Sequence, residues 1–156
     1  MGRSLVTAIS SLRGGEDLAD YIAEHYSGRV VEVGVGFYSQ VALHLAARGL
    51  EVILTDREER MLGKLVVEKD DIFSPRMGEL VVEKDDIFSP RMELYREASL
   101  IYSIRPPLEM QLAMGVVAAD VGADLLVRPL MDEVARLPGF SRRLVNWGEA
   151  RFYLFL

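Results

Sequence analysis

The sequence contains no cysteine. Disulfides, thiolate nucleophiles and cysteine-based metal sites are therefore excluded. Histidine is nearly as scarce: His25 and His44 are the two present, and they fall on separate predicted helices. A multi-histidine metal site is not expected, and each reads first as a helix-surface side chain. No apolar run approaches the ~18 residues of a membrane span, and the N-terminal residues carry no hydrophobic signal core. A soluble, cytoplasmic protein with no membrane partner is expected. Positive charge is in deficit, with 18 Lys and Arg against 24 Asp and Glu and a net charge of −6. That balance disfavours a long nucleic-acid groove, and no strong nucleic-acid signal is present. What remains is a chain of 156 residues, half of them hydrophobic and 27% charged. That is one folded domain over residues 1–156 with enough apolar mass for a core.

Residues 30–56 organise the rest. Residues 30–33 form a short apolar, β-branched run of the kind that makes a buried parallel strand. Gly34 and Gly36 follow at once. Tyr38, Val41, Ala42 and Leu45 then recur at helical spacing, with Gly49 at the position of a helix C-cap. Residues 52–54 are a second apolar strand, and Asp56 lies just past it. Two glycines between a strand and a helix let backbone N–H groups approach a ligand without a Cβ in the way. An acid at the tip of the second strand can hold both hydroxyls of a ribose. The alternatives are a glycine pair that serves only a tight turn and an Asp56 that is only a solvated strand end.

In chain order, Leu5, Val6, Ile9 and Leu12 suggest a helix over 1–13. A second helix over 16–26, with Leu18, Ile22 and Tyr26 on one face, is expected beside the first strand. Residues 57–62 are charged and helix-prone. Residues 98–104 form a strand ending in Arg105-Pro106-Pro107. The prolines start a helix to about residue 119, with Leu108, Leu112, Val116 and Ala119 as its expected buried stripe. Residues 124–127 form a strand that ends in Arg128-Pro129, and 132–137 a short helix. Residues 143–147 and 151–156 read as a hairpin around Gly148-Glu149.

Residues 63–77 and 78–92 are the same fifteen residues, apart from Lys64 against Glu79. Two units cannot stack a repeat core, so this is a tandem duplication within one domain. Each copy encodes a strand, an acid pair (Asp70-Asp71 or Asp85-Asp86) and a Ser-Pro helix start. The link between the copies is too short for a helical crossover, so one copy fills the third strand slot. The second is favoured, because Ser89-Pro90 then runs into a helix over 92–96 and on to the strand at 98–104. A spare Leu-Val-Val segment invites self-association, so a homodimer is one expectation.

One copy used, the count is seven strands. Five alternate with helices and the last two pair. The expected fold is α/β: a three-layer, doubly wound, mostly parallel seven-stranded sheet with a C-terminal antiparallel hairpin.

That layout resembles the class I S-adenosylmethionine methyltransferase fold, a methyltransferase-like Rossmann domain. The resemblance rests on Val31-Glu32-Val33-Gly34-Val35-Gly36 as cofactor loop and Asp56 as ribose acid. Asp85-Asp86, or Asp70-Asp71, stands for the acid near the adenine. It implies a small-molecule cofactor, S-adenosylmethionine or S-adenosylhomocysteine, held by Glu32, Gly34, Gly36, Asp56, Asp85 and Asp86. More narrowly, Asp85-Asp86-Ile87-Phe88-Ser89-Pro90-Arg91-Met92-Glu93-Leu94-Tyr95-Arg96 with Leu100-Ile101-Tyr102-Ser103-Ile104-Arg105-Pro106-Pro107 is similar to a small archaeal family of uncharacterised proteins, from about Glu16 to the C-terminus.

Methyltransferases that act on base amines carry Asn or Asp before Pro-Pro, where an oxygen accepts from the target. Arg105 stands there and cannot accept. Tyr102, Arg105 and Arg128 are the substrate or anion candidates: both arginines close a strand and precede proline, on the edge where ligands bind. The other outcome is that each pairs with a nearby acid. No segment remains for a lid. A non-catalytic nucleotide-binding or scaffold module acting with a partner is therefore the second reading. A dinucleotide-binding domain is the third, with Ser39 in place of its third glycine.

Overall fold

A computed structural model describes residues 12–34, 40–58 and 78–156. The expected helix over 1–13 lies almost wholly outside them, as do Gly36, residues 59–62 and the first repeat copy. The described elements are α1 (Gly15–His25), β1 (Arg29–Val33), α2 (Gln40–Ala47), β2 (Glu51–Asp56), β3 (Leu80–Lys84), β4 (Ala98–Ile104), α3 (Leu108–Val121), β5 (Asp124–Arg128), β6 (Arg142–Trp147) and β7 (Ala150–Phe155). One seven-stranded sheet runs in the order β3-β2-β1-β4-β5-β7-β6. The first five strands are parallel, and β7 pairs antiparallel with both β5 and β6.

The alternation along each strand builds two cores. Val30, Val52, Leu54, Leu100 and Tyr102 face α1 and α2. Val31, Val33, Ile53, Ile101 and Val127 face α3. Burial on both faces is why these strands read as continuous apolar runs. Leu80–Lys84 of the second copy pairs with β2, Val52 against Leu80 through Asp56 against Lys84. Among the described residues no helix is long and apolar enough to cross a membrane.

Four expectations are corrected. The helix over 92–96 is a single 3-10 turn, Met92–Leu94. Glu97 follows at a φ of 66°, which stops any further winding. Helix α1 packs on α2 and the C-terminal hairpin, more than beside β1. The Asp17 carboxylate accepts the Glu149 N–H at 2.7 Å and so ties the helix to the hairpin turn.

Residues 132–137 form no helix. Their backbone bonds go to the Gln111 side chain instead: Nε2 donates to the Glu133 carbonyl at 2.8 Å and Oε1 accepts the Ala135 N–H at 2.8 Å. A buried amide thereby supplies what helical bonds would have supplied.

Finally, α3 is turned the other way. It buries Gln111, Met114, Gly115, Val117 and Ala118. Leu108, Leu112, Val116 and Ala119 are exposed. The helix is apolar on both faces, so spacing offered two stripes. Packing chose the one with Gly115, where the Leu137 side chain sits 3.0 Å from the position a Cβ would take.

Candidate active site

The carboxyl ends of β1 to β4 open onto one cleft of about 810 Å³. Its geometry starts at the end of β1. The Thr55 hydroxyl donates to the Glu32 carbonyl at 2.9 Å, and the Ser103 hydroxyl donates to the Val33 carbonyl at 2.6 Å. The Gly34 N–H then reaches the Thr55 carbonyl at 3.0 Å. With its last carbonyls pinned on both sides, the chain leaves the sheet through Gly34 at a φ of 71°. The positive φ is what favours glycine here; a Cβ would lie 3.0 Å from the Met110 Cε, the movable end of a flexible side chain on the cleft wall.

Gly34, Asp56, Arg57 and Asp86 make the polar side of the cleft, and Ile87, Phe88, Ile104, Pro107 and Met110 the apolar side. Asp56 closes β2, and its Oδ1 accepts the Glu58 N–H at 2.9 Å. The two adjacent acids after β3 separate. Asp85 is buried and committed: Tyr95 donates its hydroxyl at 2.6 Å and the Arg91 N–H donates at 2.8 Å. Burial, and then the hydrogen bond to Asp85, keep the Tyr95 phenol protonated far above its ordinary range. Asp86 is half-buried and caps the turn by accepting the Phe88 N–H at 3.0 Å.

Behind the glycine turn, Glu32 is completely buried. Tyr102, its register partner on β4, donates a hydroxyl to Oε1 at 2.6 Å. Oε2 has no hydrogen-bond partner among the described residues. Burial pushes the Glu32 carboxyl up to about 8; the Tyr102 hydroxyl opposes that rise and the charge of Asp56 adds to it. Tyr102 is itself held protonated, by burial and then by Glu32.

Arg105 borders the cleft at a φ of 59°. Its N–H donates to the Arg128 carbonyl at 2.7 Å, so the two backbones touch on the same sheet edge. The Arg128 guanidinium donates to the Pro129 carbonyl at 2.9 Å. Arg128 is not among the residues that line the cleft; Arg57 is. Arg57, Phe88, Met110 and the pinning pair Thr55 and Ser103 were not singled out from sequence. The readable signal for the last two is a hydroxyl inside an otherwise apolar strand.

The same fold occurs in solved methyltransferases. Magnesium protoporphyrin IX methyltransferase from Synechocystis with bound SAM superposes with a TM-score of 0.58 at 14% identity, covering 90% of this chain and 78% of that one. The CcbJ methyltransferase of Streptomyces caelestis gives 0.62 at 21% identity, covering 90% and 63%. Among relatives by sequence, the UPF0146 protein of Archaeoglobus fulgidus is 42% identical over 138 residues, 88% of this chain and 91% of the relative. That of Methanothermobacter thermautotrophicus is 39% identical over 144 residues, 90% and 93%. The profile of the same family matches residues 16–80 and again 78–155. The break falls at the start of the second copy, which supports the tandem duplication. The chain belongs to UPF0146, an uncharacterised protein family.

Proposed function

We propose that the cleft binds S-adenosylmethionine or S-adenosylhomocysteine, and that the chain is a methyltransferase-like cofactor-binding protein. The observation that carries this reading is the convergence of Gly34, Asp56 and Asp86 on one cleft of a sheet with this strand order. The residues fit the group. Gly34 leaves room where a Cβ would block, the Asp56 carboxylate suits ribose hydroxyls, and Asp86 beside Ile87 and Phe88 suits the adenine edge and face. Glu32 Oε2, buried with no hydrogen-bond partner among the described residues, belongs to a carboxyl that a cationic donor such as the cofactor's amino group would draw into its ionised, accepting form. When bound, the cofactor supplies an activated methyl on its sulfonium. The protein's part in such chemistry is to position and to exclude water.

A second reading, a module that binds the nucleotide and works with a partner without doing chemistry, draws support from Arg105. It brings a donor where base-amine methyltransferases need an acceptor.

Calorimetric titration with S-adenosylmethionine, S-adenosylhomocysteine, NAD and ATP tests the proposal. The first two should bind, and Asp56→Ala should weaken them by about 1–3 kcal/mol, the scale of lost charge-assisted hydrogen bonds. Absence of binding, or a preference for NAD or ATP, would refute it.

A further inference from the structure

The outer face of α3 carries Leu108, Leu112 and Val116 one turn apart, with Leu112 48% and Val116 71% exposed. That spacing belongs to a helix face that packs against something. Single exposed hydrophobics need no explanation, but an aligned row beside an apolar groove does. Leu112 and Val116 border a groove of about 700 Å³ whose other wall is Pro90, Met92, Leu137 and Pro138.

The charge around this row is mostly negative. Glu109 and Asp120 sit near the two ends of the row, and Asp132 and Glu133 on the loop that Gln111 holds against the helix. All four are exposed, and none is in an ion pair among the described residues. Arg136 is the one basic residue of that loop.

We propose that this face docks a basic amphipathic helix of a partner protein. Its apolar side would fill the groove beside Leu112 and Val116, and its Lys and Arg residues would meet Glu109, Asp120, Asp132 and Glu133. Charge complementarity selects this occupant. A second copy would bring the same carboxylates against themselves, in a chain of net charge −6. An anionic lipid surface would be repelled for the same reason. Pro107, Glu109 and Met110, at the start of the same helix, line the cleft, so the occupant would lie beside its mouth. The inference stands apart from the cofactor reading, because the docking face and the cleft are tested by different ligands.

The test uses the full chain and two synthetic amphipathic helices of about the 14-residue length of α3. One is built of Leu and Lys, the other of Leu and Glu. The Leu/Lys peptide should bind saturably with a stoichiometry of one, perturbing the amide signals of Leu112, Gly115 and Val116. Val116→Asp should weaken it by roughly tenfold or more, as expected for a central apolar contact. Asp120→Lys with Asp132→Lys should weaken it and admit the Leu/Glu peptide. Thermal melts check that each variant folds, and calorimetry with S-adenosylmethionine checks the cleft separately. Equal binding of both peptides, binding that survives Val116→Asp, or no binding would overturn the proposal. So would a parent dimer that Val116→Asp splits, or binding to anionic phosphatidylglycerol vesicles in preference to the peptide.

Discussion

Tyr102 donates its hydroxyl to Glu32 across 2.6 Å, inside the sheet and directly behind the glycine turn. The parallel register of β1 and β4 makes these two residues neighbours on one face. A buried carboxyl with one oxygen unpaired among the described residues is costly when ionised. The folded protein therefore keeps the Glu32 proton until about pH 8, against an ordinary 4.5.

The consequence for stability has a definite sign. Between those values the folded state holds a proton that the unfolded chain has released. Stability from this group is thus full below about 4.5, declines as pH rises, and levels off above about 8. The Asp56 charge and the Tyr102 hydroxyl are the facing groups that set the window. Urea unfolding of the parent and of Glu32→Gln across this range isolates the effect. The parent should lose a few kcal/mol relative to the variant, each pKa unit being about 1.4 kcal/mol. Tyr102→Phe should cost a further ~1–3 kcal/mol by leaving Oε1 unpaired as well. A difference that does not vary with pH would remove Glu32 as the titrating group.

Asp85 and Asp86 should part company under mutation. Asp85→Ala strands the buried Tyr95 hydroxyl and the Arg91 N–H, and should destabilise the fold by about 2 kcal/mol or more. Asp86→Ala loses one turn bond and should cost under about 1 kcal/mol. Its larger effect should be on S-adenosylmethionine affinity. Denaturant curves and calorimetry on the pair check both halves. Equal stability losses would mean that Asp86 is as structural as Asp85.

The sheet was legible because its strands are buried on both faces. Val30–Val33 and Leu100–Ile104 could hardly be anything else, and β4 came out with the expected bounds. Two things hid the rest. Helix α3 is apolar all round, so periodicity named a stripe but not the side the core would take. Residues 132–137 have helix-forming composition, but their hydrogen bonds come from Gln111, a residue over twenty positions earlier. Among the residues that line the cleft, Asp56 and Gly34 could be read from spacing. The Glu32–Tyr102 pair could not, since it exists only once the β1–β4 register is known. Nor could the split between Asp85 and Asp86, which depends on where Tyr95 lands.

Gly34→Ala should act twice. The residue must hold a φ of 71°, and its Cβ would shift the flexible Met110 methyl, 3.0 Å away, on the wall of the cleft. The dihedral alone costs roughly 1–2 kcal/mol in a residue with a Cβ. Gly28→Ala is the control, because its φ is 73° with nothing within 4 Å. Both should lower stability by similar amounts, and Gly34→Ala alone should weaken S-adenosylmethionine. Loss of affinity in the Gly28 variant would show that strain, and not the approach to the ligand, governs binding.

The duplication yields the last prediction. Leu80–Lys84 of the second copy occupies the β3 slot. Residues 63–77 therefore duplicate a strand that the sheet already has, and their deletion should leave the fold intact. The connection is the point at risk. Removing 63–77 leaves eight residues between Asp56 and Leu80. Leu80 pairs with Val52, so the chain must return about four residues along the sheet and move one strand across. At ~3.3 Å per residue that is roughly 13 Å along and ~5 Å sideways, while nine extended steps reach about 30 Å. The shortened link has the reach. With fewer than the dozen or so residues of an ordinary parallel crossover, though, it must cross as an open loop with no helix, and this is where the variant is most exposed to failure. Loop-length changes of this kind cost little, about 0.6 kcal/mol per doubling. The deletion variant should keep the circular dichroism spectrum of the parent, melt within a few degrees of it and bind S-adenosylmethionine with unchanged affinity. A variant that is soluble only as an aggregate, or that melts far lower, would show that the first copy supplies contacts the sheet needs.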